Sequence, residues 1–148
     1  MRKQISAIIT IFCLIVTVTA QINQTTMRKF QRHQTASRIG GLNLSLLHLA
    51  PDGRPARKKT PVLFIHGASY PSALAFGFRM NGKSWMDVLA DEGFDVYALD
   101  FLGYGESERY PEMSSAAENK SLLGTAREVT ADVERAVAFV SARTKASK

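Results

Sequence analysis

The chain has 148 residues, 45% of them hydrophobic and 22% charged, and carries a net charge of +6. That composition excludes a disordered or fibrous chain and is enough for one modest globular domain. The lone cysteine, Cys13, excludes a disulfide framework and leaves everything after it without a thiolate nucleophile or a cysteine metal ligand.

Residues 1–20 read as a secretory signal peptide. Arg2 and Lys3 give a positive start, Ile5 to Val18 is an apolar run broken only by Ser6, Thr10 and Thr17, and Val18-Thr19-Ala20 offers a cleavage site. The run is short for a membrane span. The expected location is therefore secreted or periplasmic, with no stable span after cleavage; the alternative is an uncleaved N-terminal anchor.

Residues 21–39 form a basic N-terminal arm. From Gln21 to Thr60 eight basic residues face Asp52 alone, whereas from Pro61 onward nine basic residues face twelve acidic ones. Such asymmetry can attract nucleic acid or an anionic membrane, or it can be a solvated arm with a basic loop. Phe30 is the single aromatic among those basic residues, so a base-stacking platform is missing and no nucleic-acid partner is expected.

Gly40-Gly41 is a turn signal between candidate strands near 30–38 and 42–49, and Pro51-Asp52-Gly53 is a second turn. Val62–Ile65 is an apolar run of strand length, as for a strand buried on both faces. Residues 84–93 read as a short helix with Ser84 as cap, Trp85, Val88 and Leu89 on one face, and Gly93 as stop. Phe94–Leu99 is the next strand, and the strand–helix–strand order implies a parallel pair. Thr125 and Glu128 fit a capping box, and Val129, Val133, Ala136, Val137 and Val140 then form an apolar stripe.

Two loops carry candidate chemistry. His66-Gly67 ends the Val62–Ile65 strand, at the edge where parallel sheets bind ligands. Gly67 permits a turn with exposed N–H groups, and an N–H aimed at developing negative charge is an oxyanion donor. Ala68 is the first candidate donor and Ser69 the second. The second loop, Asp100-Phe101-Leu102-Gly103-Tyr104-Gly105-Glu106-Ser107, follows the next strand, and Gly103 and Gly105 let it turn sharply beside the first.

With both loops in view, the stretches Phe64–Tyr70, Ser84–Ala90 and Gly93–Ser107, continuing to Met113, resemble a bacterial-type branch of the α/β-hydrolase superfamily. The register runs from about Gly40 to Lys145. The resemblance implies an α/β fold, the N-terminal half of an α/β-hydrolase, with a mostly parallel sheet and flanking helices, incomplete over residues 40–148. It implies that His66 and Gly67 support an oxyanion loop with Ala68 or Ser69 as donor, that Gly103 and Gly105 shape a supporting loop, and that the helix from Thr125 precedes the nucleophile strand. The implied parent activity is hydrolysis of a small-molecule ester-like bond by a serine nucleophile.

The chain departs from that pattern. Gly67-Ala68-Ser69-Tyr70-Pro71 lacks the final glycine of a Gly-x-Ser-x-Gly elbow and lies in the wrong loop. The expected elbow, acid and catalytic histidine are absent, so this chain alone is expected to be inactive, and a non-catalytic binding or interaction module is the alternative. His33 falls in the basic arm and His48 on a strand, and neither is a candidate base. Gly103-x-Gly105 lacks the third glycine of a dinucleotide fingerprint, Glu106 and Glu108 read as solvated acids, and no cluster has metal-ligand spacing, so neither cofactor nor metal is expected. The nucleophile strand of the resembled fold would pair beside Val62–Ile65, and without it the open edge is expected to promote self-association.

Overall fold

Alternation along the second strand decides the architecture. Strand β2 (Asn43–Leu49) sends Leu44 and Leu46 to one face and Leu47 and Leu49 to the other, and all four are buried. Successive side chains of a strand point to opposite sides, so a strand apolar on both needs cover on both. A computed structural model, which describes residues 28–51, 56, 60–114 and 122–146, shows that cover as a layer of helix on each face of a four-stranded sheet. The signal-peptide and cysteine readings, and the turn at Pro51-Asp52-Gly53 beyond its first residue, lie outside the described residues.

The other strands are β1 (Gln31–Ala36), β3 (Val62–Ile65) and β4 (Val96–Asp100), in the spatial order β1-β2-β4-β3. The sheet is mixed rather than mostly parallel. β1 pairs antiparallel with β2 and β2 antiparallel with β4, while β3 and β4 are the parallel pair. The reason at the first pairing is the tight Gly40-Gly41 turn, where the Ser37 N–H donates to Leu42 O at 2.9 Å and Gly41 has φ +82°; a turn that short permits only antiparallel neighbours. β1 also brings residues 31–36 of the basic arm into the sheet.

Helix α1 (Ser72–Ala75) and helix α2 (Trp85–Asp91) cover one face, where Met86 and Ala90 join Leu47, Leu49, Val96 and Ala98. Helix α3 (Ala126–Thr144) covers the other, where Ala136 and Val140 join Leu44, Leu46, Tyr97 and Leu99. β4 is buried along its whole length, whereas β3 is half-buried, because among the described residues no strand pairs with its outer edge. The short α1 follows Pro71, a residue suited to a helix start, and was not legible as a separate helix.

The expected helix caps are present with their partners. The Ser84 hydroxyl accepts from the Asp87 N–H at 3.1 Å, and Asp87 accepts the Ser84 N–H at 3.0 Å, a capping box whose acidic half the sequence reading had not used. At the other end Gly93 has φ +90°, the Phe94 N–H donates to Leu89 O and the Gly93 N–H to Ala90 O, which is a Schellman stop. The Thr125 N–H donates to Glu128 at 2.8 Å.

The apolar face read on α2 is corrected. Trp85 and Val88 are exposed, at 68% and 47%, and the buried residues are Met86, Asp87 and Ala90. Met86 and Ala90 sit one turn apart on the face that meets β2 and β4. On α3 the stripe packs as read at Ala136 and Val140, but its row also contains Asp132, which is fully buried.

Asp132 explains part of the uneven charge. It accepts the Arg38 N–H at 2.6 Å, and the Arg38 guanidinium lies 3.5 Å from its other oxygen and 3.7 Å from Glu128. Arg28 pairs with Asp87 and Asp91, and Arg32 lies within 4.0 Å of Asp100 and Glu106. The reading of a merely solvated basic arm is thereby corrected: three of its arginines are partners for acids of the later half. Local composition shows the excess of each sign; only folding pairs them.

Candidate functional site

The loops after β3 and β4 meet at the carboxyl end of the parallel pair. Asp100, fully buried at the end of β4, organises the second loop. Its two carboxyl oxygens accept the Ser72 N–H at 2.7 Å and the Glu106 N–H at 3.2 Å. The Ser107 hydroxyl donates to Asp100 O and accepts the Ser45 N–H, which folds the loop back onto β2. Gly105 passes directly over the carboxyl group with φ +53°; a Cβ there would lie 2.8 Å from Oδ1 and closer still to Oδ2. Gly103, at φ +86°, lies beside the Met113 thioether. Both glycines shape the loop.

Gly67 is different. It has no positive φ, and a Cβ built on it meets nothing within 4 Å. The special geometry expected of it is not used among the described residues. The first loop is held instead by side chains. His66 is buried; its Nε2 accepts the Phe101 N–H at 3.1 Å, so Nδ1 carries the proton and donates to Gly67 O at 2.6 Å. The Tyr104 hydroxyl donates to Ala68 O at 2.6 Å. His66 also meets the Phe101 ring edge-on at 5.0 Å. Both nitrogens of His66 are thus committed to hydrogen bonds within and between the two loops.

These loops, with the start of α3, line an open cavity of about 610 Å³. Ala68 lines it, and Ser69 is exposed and does not. Among the described residues neither the Ala68 nor the Ser69 N–H has an acceptor. The rest of the wall is largely apolar, with Leu102, Met113, Leu123 and Val129 around the rings of Phe101 and Tyr110. Among the described residues the lining holds no serine, threonine, cysteine or carboxyl side chain, and no group of three His, Cys, Asp or Glu side chains could hold a metal ion. Glu106 and Glu108 are exposed and lie off the cavity.

The sequence reading missed one polar chain. His33 Nε2 lies 3.0 Å from His48 Nδ1, and His48 Nε2 lies 2.6 Å from Asp95. His48 also stacks flat on Tyr97 at 4.2 Å, and the Tyr97 hydroxyl donates to Asp95. Burial of His33, with Arg143 and His48 nearby, lowers its pKa. Burial opposes the charge on Asp95, yet its bond to His48 prevails and brings its pKa down. Burial, reinforced by Asp95, pushes the Tyr97 phenol up to about 12. The chain resembles a base–orienter arrangement, but it sits at the start of β4, one strand length from the loops that follow Ile65 and Asp100. Neither histidine lines the cavity. The signal that could have found it is the facing of Gln31 and His48 in the hairpin register, which puts His33 beside His48 on one face.

No family model and no curated protein matches the chain. Among solved structures it is similar to a hypothetical protein from Pseudomonas aeruginosa, with a TM-score of 0.58 and 19% identity over 79% of this chain and 32% of that one. It is also similar to the thioesterase domain from the curacin biosynthetic pathway (0.50, 21%, 75% of this chain and 33% of that one). An esterase of Pyrococcus furiosus is similar to the same degree (0.50, 17%, 77% and 36%). The chain spans about a third of the length of these structures. At such identities the likeness is one of fold, and the fold is of the α/β-hydrolase type.

Proposed function

We propose that this chain forms the oxyanion side of a pocket that hydrolyses small-molecule ester-like substrates, in a secreted or periplasmic protein. The observation that carries the reading is Ala68. Its N–H has no acceptor among the described residues, it lines the apolar cavity, and its own carbonyl is held by Tyr104 while His66 clamps the loop behind it. A backbone donor fixed in this way is already oriented when negative charge develops on a carbonyl oxygen. Among the described residues that line the cavity none supplies a nucleophile, acid or base. By themselves the described residues bind the acyl group and do not turn it over.

The test is a titration of the ¹⁵N-labelled protein with butyrate, whose carboxylate mimics the charged oxygen. A saturable shift of the Ala68 amide is expected, and in Ala68→Pro, which deletes the donor, the accompanying shifts of the neighbouring amides should vanish. Saturable shifts confined to other amides would overturn the reading, and Ser69 alone would transfer the role to the second candidate.

Export is a separate part of the proposal and rests on Arg2, Lys3 and the apolar run from Ile5 to Val18. N-terminal sequencing of material collected outside the cytoplasm should begin at or close to Gln21. Soluble cytoplasmic protein starting at Met1 would refute it.

A further inference from the structure

Most of the polar side-chain groups around the cavity are already engaged. His66 uses both ring nitrogens, the Tyr104 hydroxyl is given to Ala68 O, and the Tyr110 hydroxyl accepts from Arg38 at 3.1 Å and keeps its own O–H. Arg38 is turned to Asp132 and Glu128, and among the described residues no lysine, arginine or carboxylate side chain lines the wall. The Ala68 N–H is left without an acceptor among the described residues, and most of the remaining surface is hydrocarbon, ring or thioether. A second charge on a ligand would find no charged partner there, which disfavours it. The cavity thus favours a molecule with its acceptor at Ala68 and an uncharged hydrocarbon chain behind it.

The wall also shows what limits that chain. Ala68 is tied to Tyr104, Tyr104 follows Gly103, and Met113 rests on the bare Cα of Gly103, where a built Cβ would come within 3.0 Å of the sulfur. Met113 and Ala68 thus line the same cavity, linked through Gly103 and Tyr104. Met113 is 48% exposed, so it borders the mouth and not the core. An unbranched thioether with three torsions adapts and can be trimmed with little effect on the fold. Resting on the reading that Ala68 is the oxyanion donor, we infer that the site takes neutral straight-chain acyl groups and that Met113 sets the longest chain accommodated.

The experiment measures Kd for butyrate, hexanoate, octanoate and decanoate from the Ala68 amide shift. In the parent protein each further methylene that enters should tighten binding about fourfold, until the gain stops at a limiting length. Met113→Ala should move that limit to a longer chain, Met113→Phe to a shorter one, and Met113→Leu should leave it in place. Should Met113→Ala fail to fold, the shortened limit in Met113→Phe decides. An Ala68 shift whose length profile is the same in all variants overturns the role of Met113 and leaves the donor standing. Absence of any saturable Ala68 shift in the parent overturns the donor itself. Equal affinity for a dicarboxylate of the same length as the best monocarboxylate would overturn the selection for an uncharged chain.

Discussion

Gly105→Ala should destroy the cooperative unfolding transition or lower stability by about 4 kcal/mol, while Gly67→Ala should change it by no more than about 0.5 kcal/mol. At Gly105 two costs add. An alanine at φ +53° is strained by roughly 1 kcal/mol or more. Its Cβ would also occupy the place of the Asp100 carboxyl group, which is fully buried and accepts from Ser72 and Glu106. That group cannot rotate away without leaving the buried Ser72 N–H unpaired, at about 1–3 kcal/mol, and losing its bond from the Glu106 N–H. Gly67 has neither the conformation nor the crowding. Urea denaturation of both variants checks the contrast, and a parent-like midpoint for Gly105→Ala would show that the loop packs otherwise.

Asp87→Ala should cost about 3 kcal/mol, and Asp87→Asn should remove part of the acid sensitivity of the fold. The carboxyl group accepts from Arg79 at 2.7 and 2.9 Å, from the Ser84 N–H at 3.0 Å and from the Ser84 hydroxyl at 2.6 Å. Arg79 in turn donates to Arg28 O and lies over the Phe30 ring, so the same group anchors the entry to β1. Its removal loses a helix cap and strips a half-buried arginine of its partner. Burial opposes the charge of Asp87, but Arg79 and Ser84 outweigh it and bring the pKa from 3.8 down to about 2. A carboxyl group depressed in the folded state stabilises above its unfolded pKa, and that stability is lost as pH falls through the folded one. Here the window runs from about pH 4 to pH 2 and is worth about 2 kcal/mol. Asp91, Asp95 and Glu128 are also depressed, so the difference between parent and Asp87→Asn isolates this group. Identical acid limbs in the two proteins would refute the assignment.

The cavity and the fold share one geometric origin. A parallel pair places the ends of β3 and β4 side by side, so the loops after them must meet. Their meeting is what makes a cavity from residues 35 or more positions apart in the chain, such as His66 and Phe101. Asp100, Gly105 and Ser107 stiffen one loop, His66 and Tyr104 the other, and Ala68 is left as the open donor between them.

What the sequence determined by itself is local. Ser84, Gly93, Thr125 and Glu128 mark their helix ends because a cap is satisfied by groups three to five residues away. Gly41, Gly103 and Gly105 mark turns because positive φ is a property of one residue. The parallel pair and the loops at its end follow from strand, helix and strand in succession. The tertiary structure decided everything that depends on which surfaces face each other. Periodicity shows that α2 has an apolar side, but the position of the sheet chose Met86 and Ala90 over Trp85 and Val88. Asp132 looks like a solvated helix residue until Arg38, 94 positions earlier, lies against it. His33, His48 and Asp95 join only through the register of three strands. Gly67 and Gly105 look alike in sequence, yet only Gly105 has a buried carboxyl group beneath it. Short-range bonds are encoded by neighbours in the chain, whereas burial and charge pairing are encoded by neighbours in space, and no window of sequence contains those.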